Sequence, residues 1–166
     1  MTLSRRARTT LGLVVVIAGA AMLLDSALTL SWASVETSGA NTHGYAMIAY
    51  SITSMKAPSG GRWLTGFAVA AIVLSTWVLI RYSRPKVRAL VLLTECMAIT
   101  AFASSFAAIE RADHYALSGI VRTTYNKGSL LGILGALMAA AGAIYVMMVN
   151  RDATKSLEAA EVTSAS

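Results

Sequence analysis

Of the chain's 166 residues, 56% are hydrophobic and 13% charged, too apolar a balance for an ordinary soluble domain and one that points to an integral membrane protein. The formal charge of +6 comes from Lys and Arg that flank apolar blocks instead of forming one basic module, so anionic lipid headgroups explain it better than nucleic acid. A single cysteine, Cys96, excludes an intrachain disulfide and a Cys-rich metal centre, and its place in an apolar block predicts a small packing residue.

The first element is the apolar run 11–32, preceded by Arg5, Arg6 and Arg8 and interrupted by Asp25. At about 1.5 Å per residue, its roughly 22 residues reach about 33 Å as a helix, enough to cross a hydrocarbon core about 30 Å thick. The run is longer than a secretory signal core, and Thr9-Thr10-Leu11 fits a twin-arginine context poorly, so an uncleaved anchor is expected. Residues 33–62 then form a long loop with Gly39, Asn41, Gly44, Pro58 and a Ser59-Gly60-Gly61 turn signal. Within it Tyr45, Ile48, Tyr50 and Ile52 suit a short strand or a surface-lying segment, and are candidates for contact with a partner.

The second span covers 63–80 and ends in the basic turn Arg81 to Arg88, broken by Pro85. Ser75 and Thr76 within it are expected to bond their own backbone carbonyls. The third span, 89–109, contains Glu95, and a polar loop over 110–127 follows. The fourth span, 128–149, has no charge and carries Gly128, Gly132 and Gly135, a small-residue spacing that permits close helix packing against the first helix or a partner. The tail 151–166 is expected to hold a helical turn or two and then disorder. Together the spans predict a domain over 1–150 with an all-α fold: a four-helix transmembrane bundle with an extracytoplasmic cap formed by the two long loops.

Sidedness follows from charge. The N-terminal segment, the 81–88 turn and the tail hold nine Lys and Arg, against five in the two long loops. The richer side faces the cytoplasm, which places both termini inside. Trp32, Trp63, Tyr115 and Tyr125 near one set of span ends, and Trp77, Tyr82 and Tyr145 near the other, fit two interfacial belts.

Two acids lie within spans. An ionisable group there is by default a functional-site hypothesis, because inserting a charge at a helix centre costs about 2.5 to 3.5 kcal/mol. Glu95 leans toward the cytoplasmic surface and Arg88, whereas the lean of Asp25 draws it deeper. Asp25 is therefore expected to turn into the bundle and find Ser104 or Ser105. His43 and His114 fall in the two long loops with no tight ligand spacing, so no metal site is expected. The sequence has no glycine-rich phosphate loop, zincin motif, Cys-x-x-Cys pair or nucleophile elbow, so neither an enzyme nor a cofactor is expected.

The expected function is therefore contact: an accessory or assembly subunit, or an envelope protein, in the cell membrane of a bacterium. Its partners are the lipid bilayer and another membrane protein or a second copy of the chain. The alternative is a small proton- or cation-coupled transporter or channel whose path passes Asp25 and Glu95.

Overall fold

The structure, a computed structural model, describes residues 4–37, 42–46, 60–81, 83–115 and 120–164. In chain order these form α1 (Arg5–Thr29), β1 (Ser31–Thr37), β2 (Thr42–Ala46), α2 (Gly60–Arg81), α3 (Arg84–Tyr115), β3 (Ile120–Tyr125) and α4 (Lys127–Ser164). Four helices are long and apolar enough to cross a membrane, with windows of mean hydropathy between 1.7 and 2.2.

Each helix end has a local cause. Ser4 caps α1, its hydroxyl accepting from the Ala7 N–H at 3.3 Å. At the other end the backbone turns extended at Leu30, so α1 stops at Thr29 instead of running to Trp32. Pro85 sits in the first turn of α3, where its missing N–H leaves no helical bond unmade. The tail does not break away after a turn or two. Residues 152–164, with Ala153, Leu157, Glu158, Ala159, Ala160 and Glu161 among them and no Gly or Pro, continue α4 as one helix.

The helices form a ring in which α1 packs against α2 and α4, and α3 packs against the same two from the opposite corner. The closest seam is α1 with α4. A Cβ built on Gly19 would lie 2.5 Å from the Gly135 carbonyl oxygen, and one on Gly135 would lie 2.7 Å from the Gly19 oxygen. One heptad away, a Cβ on Gly142 would come within 2.9 Å of the Gly12 oxygen, so the two backbones nearly touch at two levels. The small-residue surface of α4 is thus spent on α1 of the same chain. Between the helices lies a core that includes Leu13, Val16, Leu23, Leu64, Leu90, Met97 and Val146, each fully buried.

The cap contains a three-stranded antiparallel sheet in the order β2-β1-β3, in segments expected to be loops. Val35 of β1 pairs with His43 on one side and with Thr123 on the other. Of the expected contact residues, Tyr45 lies in β2 opposite Ala33, whereas Ile48, Tyr50 and Ile52 fall outside the described residues. Trp32 corrects the interfacial reading made of it. Its side chain is 1% exposed, its indole N–H donates to the Ser26 carbonyl at 2.9 Å, and its ring fills the space beside Gly132. It plugs the bundle beneath the sheet.

Candidate functional site

Asp25 does not turn into the bundle. The buried face of α1 runs through Thr9, Gly12, Leu13, Val16, Gly19, Ala20, Leu23, Ser26 and Ala27. At 100° per residue Asp25 stands about 180° from the middle of that face, and it is exposed. Ser104 and Ser105 are buried on α3, and the Ser105 hydroxyl donates to the Phe102 carbonyl at 2.7 Å, not to Asp25.

Two physical reasons account for the outward placement. Asp25 lies one turn short of the end of α1, about 12 Å from the helix midpoint, and in a helix that crosses a membrane a charge costs less near an end than at the centre. It also has a partner on its own helix. The Thr29 hydroxyl lies 3.0 Å from Asp25 Oδ1 and 2.7 Å from the Asp25 carbonyl oxygen.

Around Asp25 the outer line of α1 consists of Leu11, Val14, Ala18, Ala21, Asp25 and Leu28, all exposed and spaced alternately three and four residues apart. That is the spacing of a seam between packed helices, here facing away from the bundle. Ala18 and Ala21 at its middle leave room for another helix to come close. Sequence reasoning had the means to find this line. Gly12 and Gly19 on α1 complement Gly135 and Gly142 on α4, and once they fix the inner face, Asp25 falls opposite.

Glu95 is also exposed, about 130° from the middle of the buried line of Leu90, Thr94, Met97 and Ala101. Arg88 shares its side of α3 about two turns away and is exposed as well. Cys96 is exposed, so it does not pack in the core as expected. Because α1 and α3 occupy opposite corners of the ring, the two acids point away from each other and from the bundle axis. The hydroxyls of Ser75 and Thr76 donate to the Ala71 and Ile72 carbonyls at 2.6 and 2.9 Å.

The end of the bundle opposite the sheet is basic. Arg5 Nη2 donates to Asn150 Oδ1 at 3.1 Å, tying the start of α1 to α4, while Arg5 Nε is buried without a partner among the described residues. Beside Asn150 lies a cavity of about 10 Å³ lined also by Thr9, Ser83 and Arg84, the size of one water molecule. On the outside of the same end, the Lys86 ammonium stands 3.9 Å from the centre of the Trp77 ring and the Arg81 guanidinium 5.7 Å from it. Near the sheet end a groove of about 440 Å³ opens between α3 and α4, with Phe102 and Phe106 on one wall and Leu130 and Ile133 on the other. No cluster of His, Cys, Asp and Glu suited to a metal ion occurs among the described residues.

No protein-family model matches the chain, and no curated protein or solved structure is significantly similar to it.

Proposed function

We propose that this chain is a multi-pass protein of the bacterial cell membrane, with both termini cytoplasmic, that works by contact as an accessory or assembly subunit and not by catalysis. The membrane reading draws on the surface. Val73, Ile80, Leu92, Ile99, Leu130 and Met148 are each more than half exposed on helices that have no other cover, and lipid supplies it. The orientation rests on the excess of Lys and Arg at the end opposite the sheet.

The observation that carries the contact reading is the outer line of α1: small residues at its middle, apolar ones on either side, and an acid near its end. Lipid gains nothing from a seam spacing, and the single Thr29 hydroxyl, shared between the Asp25 carbonyl oxygen and Oδ1, leaves the carboxylate able to accept from a further donor. A neighbouring helix with a donor at that depth answers both. Gly132 is covered by Trp32 of β1 and Ser26 of α1, and Gly135 by α1, so neither is free to meet a partner. The transporter alternative draws no support from the outward placement of Asp25 and Glu95, which line no path between the helices.

Extraction from the native membrane in mild detergent tests the reading. The wild-type chain is expected to leave the membrane in an assembly with a second copy or another protein, and Ala21→Leu, which adds bulk only on the outer line, is expected to break that assembly while the chain stays folded. A free monomer from native membrane would end the proposal.

A further inference from the structure

The outer surface of α2 carries a groove of about 450 Å³ lined by Ile72, Val73, Thr76, Trp77, Ile80 and Arg81. Its walls are apolar, and the one hydroxyl among them, on Thr76, is committed to the Ile72 carbonyl. Ile80 is 75% exposed and Val73 59%, so this surface needs apolar cover. From Ile72 to Arg81 the groove runs nine residues along α2, about 13 Å, close to half of a 30 Å hydrocarbon core. It is one leaflet deep.

At its mouth two cations converge on one ring. Lys86 comes from α3 and Arg81 from α2, and both stand against Trp77. Residues 37–94 contain no Asp or Glu, and Glu95 lies about 13 Å further along α3 than Lys86, so no carboxylate of these two helices sits beside the pair. Arg84 and Arg88 are exposed nearby and add to the field. An anion at the mouth relieves the repulsion between Arg81 and Lys86 and takes hydrogen bonds from both. A free phosphate leaves the apolar groove uncovered, whereas a neutral lipid leaves the cations unanswered.

We infer that the groove on α2 binds one anionic phospholipid, its phosphate held by Arg81 and Lys86 beside Trp77 and one acyl chain lying along Ile80, Val73 and Ile72. The site requires that the helices cross a bilayer; it does not depend on the contact face of α1.

Native mass spectrometry of the full chain in mild detergent, with equimolar phosphatidylglycerol and phosphatidylcholine of identical acyl chains, tests it. The wild type is expected to retain phosphatidylglycerol several-fold over phosphatidylcholine. Arg81→Gln and Lys86→Gln should each lower that preference about fivefold, the factor that about 1 kcal/mol per surface cation sets. Arg62→Gln, an equal change of charge at the opposite end of α2, should leave it unchanged, and inorganic phosphate in excess should not displace the lipid. Equal retention of the two lipids by the wild type overturns the inference without any variant. So does a preference untouched by both glutamine variants, one lowered equally by Arg62→Gln, or a lipid displaced by inorganic phosphate. Release of the chain from membranes at alkaline pH marks the separate failure of the membrane reading.

Discussion

Single residues decide how closely the helices approach. At Gly19 and Gly135 any side chain meets backbone of the facing helix below 3 Å, and backbone cannot step aside as the tip of a flexible side chain can. Gly135→Leu is expected to destabilise the bundle by about 3 kcal/mol, the upper end of what overpacking costs, read as a lowered Tm in mild detergent. Gly66 is the contrast: nothing lies within 4 Å of a Cβ built there, so Gly66→Ala should raise stability by about 0.5 to 1 kcal/mol through helix propensity. Trp32→Phe removes the indole bond to Ser26 and part of the plug beside Gly132, and should cost about 1 to 2 kcal/mol by the same measurement. At this scale sequence reasoning identified Asp25 and Glu95 as the unusual groups but misjudged where Asp25 points. The expense of a charge at the centre of a membrane was applied to a residue one turn from a helix end, where Thr29 already supplies a hydrogen bond.

The four helices were legible because long apolar blocks bounded by charge have few other solutions in a chain this poor in Asp and Glu. Their ends were less so. Of the sheet, the sequence suggested only a short strand from Tyr45, although β3 also carries a signal: Ile120, Val121, Thr123, Thr124 and Tyr125 are a β-branched and aromatic run within the segment read as a connector. Ser31–Thr37 was harder, because Trp32 reads naturally as an interfacial aromatic at the end of a helix until its burial beside Gly132 is known. The sheet order predicts unequal protection. Among the described residues central β1 is paired on both sides and β2 on one, so backbone amides of β1 should exchange with deuterium more slowly than those of β2, as mass spectrometry of exchanged peptides can read. Equal exchange in the two strands would contradict the order β2-β1-β3.

For the whole molecule, the two ends of the bundle differ in kind. One is closed by a sheet and a buried tryptophan, the other by a hydrogen bond from Arg5 to Asn150 within a cluster of cations. Between them, the side of the ring formed by α1 and α4 is drawn together by four glycines, which turns the acid of α1 and its line of small and apolar residues outward. That outer line is the surface we propose for contact with a partner. The most direct test is the mass of the particle extracted from native membrane in mild detergent, compared between wild type and Asp25→Leu, a substitution that suits lipid and leaves the buried core untouched. A wild-type particle heavier than the 17.4 kDa chain and its detergent is the expected result, with a folded monomer for the variant. A monomeric wild type, or an assembly that Asp25→Leu leaves intact, would contradict it.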